Sequence, residues 1–323
     1  MPINLKQLTP HKVSRDLSGY ITYVYGPGGR GKTTLGAQMP SPLLLAFEKG
    51  YNALPGVLAQ DVTTWAEMKQ VLRQLDDPDV KGMFRSVVVD TVDIAAQLCE
   101  QFVCNQLGVE NIGDGGWKVN GWKKVKTEWE NTFRSIAMKG YAVLFISHAK
   151  EKKITLKDNT EYNQIIPSVS SAYNTIIRDM SDIQGYIEIA NNERTLILRS
   201  PNDSVECKSR FKMIEPRIPF SYQSLVDALN AAIDKEAAMT GHRFVTDERE
   251  KVVEAATYDY DALMNEFNDI TNQLMEKDSE YYLPRIMSII EKYFGKGKKI
   301  SDATIDQAEL IFLVVDDMKN DLL

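Results

Sequence analysis

Residues 20–34 read Tyr-Ile-Thr-Tyr-Val-Tyr-Gly-Pro-Gly-Gly-Arg-Gly-Lys-Thr-Thr. A β-branched and aromatic run, Ile21 to Tyr25, passes directly into Gly26-Pro27-Gly28-Gly29-Arg30-Gly31-Lys32-Thr33-Thr34. The spacing from Gly26 to Gly31-Lys32-Thr33 satisfies G-x-x-x-x-G-K-[ST], and a strand before it with a helix-compatible run after it is the context that motif requires. With glycine near 7% of residues, the pattern arises by chance in roughly one chain in a hundred of this length. Each part has a chemical job. The glycines let backbone N–H groups wrap closely around a polyphosphate. Lys32 supplies a mobile charge for the β- and γ-phosphates, and the Thr33 hydroxyl is a ligand for Mg²⁺. A helix opening near Lys32 turns its N–H groups toward the same anion.

Working outward, the first half of the chain alternates strand-like and helix-like runs. Pro42 to Glu48 is a short apolar run ending in an acid and reads as a buried parallel strand. Thr64 opens a helix, with Glu67 completing a capping box and Trp65, Met68, Val71, Leu72 and Leu75 at helical spacing. Ser86 to Thr91 and Tyr141 to Ser147 read as two more buried strands, with helices over 92–107 and from Trp122 through Val125, Trp129, Phe133 and Ile136. Residues 108–120 are a Gly-rich loop, 152–166 a hairpin about Asp158-Asn159, and 185–190 with 194–199 a further strand pair. This alternation predicts βαβ units and a largely parallel sheet. Beyond about residue 235 strand patterns fade into charged amphipathic helices. Ser301 is a candidate cap for a last helix facing inward through Ile305, Ala308, Phe312 and Val315. The predicted division is 1–235 for the α/β core and 236–323 for a helical region.

The 323 residues carry a net charge of −7, so a nucleic-acid coat over the whole surface is excluded, although a local basic patch is not. Three cysteines without C-x-x-C spacing argue against a disulfide framework or a zinc site. With no signal-type N-terminal segment and no run of membrane-spanning length, a soluble cytoplasmic protein is the expectation.

Other chemistry-bearing residues take their meaning from the phosphate loop. Asp90 ends an apolar strand, as a metal-holding carboxylate opposite Thr33 does. Glu48 sits at another strand's carboxyl end, where open α/β sheets place ligands, and suits a base for the water that attacks the γ-phosphate, with Asp93 the rival. His148 follows the strand Val143 to Ser147 and suits a γ-phosphate contact. Lys208 and Arg210 lie two apart on a strand and so point the same way, as a cation pair or as a solvated edge.

In that order the parts resemble the RecA-like P-loop NTPase core. The phrases Gly26 to Leu35, Leu45-Ala46-Phe47-Glu48-Lys49-Gly50, Phe145-Ile146-Ser147-His148 and Cys207-Lys208-Ser209-Arg210-Phe211 most resemble phage-encoded RecA-like ATPases, a group that includes Sak-type single-strand annealing or recombination proteins. The resemblance covers about residues 18–230. It implies Mg²⁺-dependent, DNA-stimulated ATP hydrolysis in a host cytoplasm, with Glu48 as catalytic glutamate and His148 in place of a glutamine-type sensor. It also implies that Lys208 and Arg210 act in trans, in a ring or filament with shared sites. Single-stranded DNA would lie on the loops 108–120 and 149–167, where Trp117 is suited to stacking a base and Lys118, Lys150, Lys152, Lys153 and Lys157 to phosphates. A single-strand-binding protein is a further expected partner of the C-terminal helices. A replicative helicase or helicase-loader ATPase is the alternative, and a nucleotide-binding structural protein without significant turnover a further one. A GTPase is disfavoured because no N/T-K-x-D base-reading motif is present.

Overall fold

The structure is a computed structural model that describes residues 5–114, 116, 120–241, 244–248 and 257–323. It divides into two compact units, Met1–Glu254 and Ala255–Leu323. The first unit carries strands β1 (Val13–Ser14), β2 (Ile21–Tyr25), β3 (Pro42–Ala46), β4 (Ala59–Asp61), β5 (Ser86–Asp90), β6 (Ala142–Ser147), β7 (Ala149–Thr155), β8 (Glu161–Pro167), β9 (Ile183–Ala190), β10 (Glu193–Ile197), β11 (Lys208–Ser209), β12 (Arg217–Pro219) and β13 (Val245–Thr246). Its helices are α1 (Lys32–Ala37), α2 (Trp65–Gln74), α3 (Pro78–Lys81), α4 (Val92–Leu107), α5 (Gly121–Met138), α6 (Ser171–Met180) and α7 (Tyr222–Thr240).

Among the described residues the main sheet has nine strands in the order β12-β10-β9-β2-β6-β5-β3-β4, with β11 also on β9. From β9 to β4 every pairing is parallel, and β10, β11 and β12 add antiparallel edges. This is the α/β arrangement with a largely parallel sheet that the sequence implied. β5 and β6 are buried along their whole length, which is why they read as continuous apolar runs rather than as alternation. The strand leading to the phosphate loop, β2, lies between β6 and β9 and is locked from both sides.

Both faces are covered. On one, α2, α4, α5 and α6 bury Met68, Ala95, Phe133 and Ile177 around a stack of Trp65 on Trp129 with ring centroids 6.0 Å apart. On the other lie Leu35 of α1, Met39 just beyond that helix, and Leu225, Leu229 and Ile233 of α7. The capping box of Thr64 and Glu67 is present as expected. Trp122 departs from its expected place. It is 48% exposed, because the buried stripe of α5 enters the first turn at Gly121, pressed on Ile112, and continues through Val125, Trp129, Phe133 and Ile136, which leaves Trp122 to one side.

The boundary expected at 235 falls inside α7. The apolar stripe of that helix is core of the first unit, so the division lies at 254/255 instead. The second unit consists of α8 (Tyr260–Phe294) and α9 (Ala308–Asp321), joined through short 3-10 turns. Asp278 interrupts α8 with extended backbone, and its carboxylate accepts the Tyr281 N–H at 3.0 Å as a helix cap does. The register of the last helix also differs from expectation. Ile305 is 75% exposed, and Ala308, Ile311, Val314, Val315 and Met318 face inward. Ser301 lies in the turn Ile300–Asp302, and Thr304 with Gln307 forms the capping box of the turn Ile305–Gln307.

The seating of α1 depends on a missing side chain. A Cβ on Gly36 would stand 2.8 Å from Cγ1 of Val88 on β5. Overpacking of that kind costs about 1–3 kcal/mol, against about 1 kcal/mol gained from alanine's helix propensity. Gly36→Ala is therefore expected to lower the thermal midpoint, and adding Val88→Ala to recover part of the loss. Strict additivity of the two substitutions would show that the contact does not constrain α1.

Candidate active site

Four adjacent parallel strands deliver the site at their carboxyl ends. The register sets Ala46 opposite Asp90, Asp90 opposite Ile146, and Ser147 opposite Tyr25. Glu48, Asp90, His148 and the loop after Tyr25 are therefore brought to one end of the sheet, although Glu48 and His148 are a hundred residues apart in the chain. Backbone bonds reinforce this. The Phe47 and Glu48 N–H groups donate to the Asp90 carbonyl at 2.7 and 3.3 Å, tying the end of β3 to that of β5.

The phosphate loop turns through left-handed Gly29 (φ +71) and Gly31 (φ +90) and enters α1 at Lys32. α1 has only six residues, so an anion at its start would meet local N–H groups rather than a long helix dipole. Lys32 is buried. Its Nζ donates to the carbonyl oxygens of Gly26 at 2.8 Å and Pro27 at 2.9 Å, and burial lowers its pKa. The loop is thus held in shape by the same ammonium that phosphate chemistry requires.

Thr33 Oγ1 donates to Asp90 Oδ2 at 2.6 Å. Asp90 is 1% exposed. Burial pushes its carboxyl up to about 6, and the nearby Glu48 adds to the rise while the Thr33 hydroxyl and Lys32 oppose it. A hydroxyl and a carboxylate in contact are the hard oxygen donors Mg²⁺ takes, with water completing its shell, so the residues fit that ion. Gly50 closes over the pair, and a Cβ there would lie 2.8 Å from Thr33 Oγ1.

Glu48 Oε2 lies 3.3 Å from His148 Nε2, and both side chains are about one-third exposed. Asp93 holds a different place. Its carboxylate accepts the His148 N–H at 3.2 Å and the Ser168 hydroxyl, and the Ser168 N–H donates back to the His148 carbonyl at 2.9 Å. Both Asp93 oxygens are thereby occupied in fixing the chain where β6 passes into β7. Sequence reasoning named Asp93 only as a rival base and did not find Ser168, which follows Pro167 in a loop without a motif.

Lys208 and Arg210 are not brought to this chain's own phosphate loop. β11 pairs with the start of β9, Ser209 opposite Ile183, and Ile183 pairs with Thr22 near the start of β2. Lys208 Nζ donates to the carbonyls of Arg178 at 2.7 Å and Asp179 at 3.0 Å, and Arg210 reaches the Asp179 carbonyl and Asp182, so the pair caps the C-terminal end of α6. Burial lowers the Lys208 pKa. Of the lysines proposed for DNA, Lys150 folds back on the carbonyls of Ser168 and Val169, Lys153 pairs with Glu161, and Lys152 is exposed on β7. Trp117 and Lys118 lie outside the described residues. No described helix is long and apolar enough to cross a membrane.

A Lys–Thr phosphate loop paired with a strand-end aspartate at the carboxyl end of a parallel sheet defines a P-loop nucleotide-binding ATPase core. Residues 18–211 match the AAA domain family (AAA_24), and the chain belongs to that family. It is 32% identical over 319 residues, 95% of each chain, to the SPbeta prophage-derived uncharacterized protein YorG of Bacillus subtilis (strain 168). Among solved structures it is similar to the RadB recombinase at 14% identity and a TM-score of 0.37, covering 64% of this chain and 89% of that one. A KaiC-like protein of Pyrococcus horikoshii OT3 is similar at 14% identity and 0.34, covering 63% and 85%.

The buried Asp90 carboxylate has a consequence for stability. Its folded value of about 6 lies above the unfolded value near 3.9, so ionisation penalises the folded state by roughly 3 kcal/mol. The penalty is full above about pH 6 and vanishes below about pH 4. Asp90→Asn, whose amide oxygen still accepts from Thr33, is expected to raise the thermal midpoint of the ligand-free protein at pH 8 and leave it unchanged at pH 4. An equal effect at both pH values would show that the gain does not come from the charge.

Proposed function

We propose that this protein is a Mg²⁺-dependent ATPase that works on single-stranded DNA in phage recombination or annealing, as an assembly with shared active sites. The observation that carries the catalytic part is the convergence of Lys32, Thr33, Asp90, Glu48 and His148 at the ends of four neighbouring strands. In this reading Lys32 leaves the carbonyls of Gly26 and Pro27 for the β- and γ-phosphates. Thr33 and Asp90 hold the metal, which when bound neutralises charge on the phosphate oxygens. Glu48 orients and deprotonates the attacking water, a role left to it because the oxygens of Asp93 are already committed. His148, held through its N–H by Asp93 and close to Glu48, senses the γ-phosphate.

Lys208 and Arg210 complete the site of a neighbouring subunit. Their distance from this chain's own loop supports a role in trans over one in cis. The DNA part of the proposal rests on the exposed face of the β7–β8 hairpin, whose base is clamped to the nucleotide site through Ser168 and Asp93. The prophage origin of the Bacillus relative supports the phage setting.

Turnover of ATP with and without single-stranded DNA tests this reading. Lys32→Ala is expected to reduce turnover by about 100-fold or more, on the scale of removing one transition-state contact. Wild-type turnover in that variant would sink the catalytic proposal. DNA should raise the wild-type rate, and the increment should fade as salt rises. A rate indifferent to DNA at low salt would remove DNA from the account.

Shared sites predict complementation. Glu48→Ala subunits mixed with Arg210→Ala subunits should recover measurable turnover, since some interfaces then combine an intact Glu48 with an intact Arg210. No recovery at any mixing ratio would argue that the cation pair only caps α6.

A further inference from the structure

We infer that Arg194 is a second cation of the phosphate loop, acting in cis on the α- and β-phosphates of the bound nucleotide. The inference rests on the nucleotide-binding reading above and adds a residue that no motif marks. Arg194 lies on β10, opposite Ile189 on β9, with its side chain on the same sheet face as Leu196 and therefore on the face that carries α1. β9 runs against the loop itself, since a Cβ on Gly26 would stand 3.1 Å from Cβ of Ile187. One strand further out, the Arg194 guanidinium crosses back over the loop. A Cβ on Gly31 would lie 2.8 Å from Nη1 of Arg194 and 3.4 Å from the Phe220 ring. The bare backbone of Gly31 thus has two roles. Its φ of +90 turns the chain into α1, and its missing side chain admits the guanidinium.

The second observation is electrostatic. The Arg194 side chain has no hydrogen bond or carboxylate partner among the described residues, and the same holds for Arg30 in the loop. By contrast, Arg217 one strand away is paired with Glu188 at 2.7 Å. Arg30 bears on the Lys32 ammonium as a like charge against the carboxylates of Asp90, Glu48 and Asp93, and the guanidinium of Arg194 at Gly31, with no carboxylate of its own among the described residues, adds a positive charge that an anion entering the loop can meet. Arg194 is also positioned from behind. The Phe220 N–H donates to its carbonyl at 3.0 Å, so the residue that flanks Gly31 with its ring fixes Arg194 with its backbone.

The choice of phosphates follows from the loop. In this motif the lysine serves the β- and γ-phosphates, and the backbone N–H groups cradle the α- and β-phosphates. A fork lying over Gly31 therefore meets the part of the ligand that ATP and ADP share.

Calorimetric titration of the full chain with ADP and with a non-hydrolysable ATP analogue tests the inference. Arg194→Ala is expected to weaken both nucleotides by a similar factor of about tenfold or more, the scale of one lost charge-assisted hydrogen bond. Arg194→Lys, which keeps the charge but not the fork, should recover only part of the loss. Arg217→Ala should bind both as the wild type does. Unchanged affinities in Arg194→Ala overturn the inference and leave the nucleotide reading intact. A loss confined to the ATP analogue overturns the assignment to the α- and β-phosphates, and an equal loss in Arg217→Ala reduces the effect to the general field of the sheet edge. A wild-type protein that binds neither nucleotide overturns the nucleotide reading and this inference together.

Discussion

The hydroxyl of Thr33 donates to a carboxylate that water hardly reaches, and the geometry of the site depends on that bond. Asp90 at the end of β5 is 1% exposed, and Thr33 opens α1 after the loop from β2. Their 2.6 Å contact joins two strands that are not neighbours, since β6 lies between them. It therefore ties the start of α1 to the end of β5 directly, beside the ladders that run through β6. A buried acid kept near neutrality's edge by its surroundings is costly for folding and useful for binding a cation, because the cation supplies the compensation that burial withholds. Gly50, pressed on the same pair, leaves no room for a side chain that would shield it.

The parts of this design that were legible in the sequence are those whose physics is local or periodic. The phosphate loop is a contiguous phrase with a steric reason for each glycine. β5 and β6 are apolar without interruption because both their faces are covered. The capping box of α2 spans four residues. What escaped depends on pairings between distant segments or on competition between two plausible registers. Trp122 stands three residues before Val125, but Gly121, four before it, takes the inward place in the first turn of α5. The run Leu310 to Val315 is apolar throughout, so periodicity alone could not choose its inward face, and Ile311, Val314 and Val315 take it. Arg194 had no signal at all. Its relevance arises only when β10 pairs with β9, and β9 with β2.

The fixed and adjustable parts of the site are differently built. Asp93 and Ser168 are bound to one another and to the His148 backbone, so the start of the β7–β8 hairpin is anchored where β6 ends. Glu48 and His148 touch only at 3.3 Å and are partly open to solvent, so their contact is the one most easily exchanged for a contact with a ligand. Under the proposed function, a change at the γ-phosphate position would be felt first by the side chain of His148, whose backbone is shared with the root of the hairpin.

The two sets of cations divide along the same line. Lys32, Arg30 and Arg194 gather at the carboxyl ends of the parallel strands, whereas Lys208 and Arg210 lie level with the beginnings of β2 and β9. A parallel sheet makes these two ends chemically different, because only one of them presents loops leading into helices. Residues placed at the opposite end cannot serve the same nucleotide without crossing the length of β2. In a single chain they meet the carbonyl end of α6 and, through Arg210, the Asp182 carboxylate. A head-to-tail arrangement of identical chains, in which the beginning of one sheet approaches the end of the next, would give this placement a chemical purpose, and a heterologous contact of that kind generates rings or filaments without any further device.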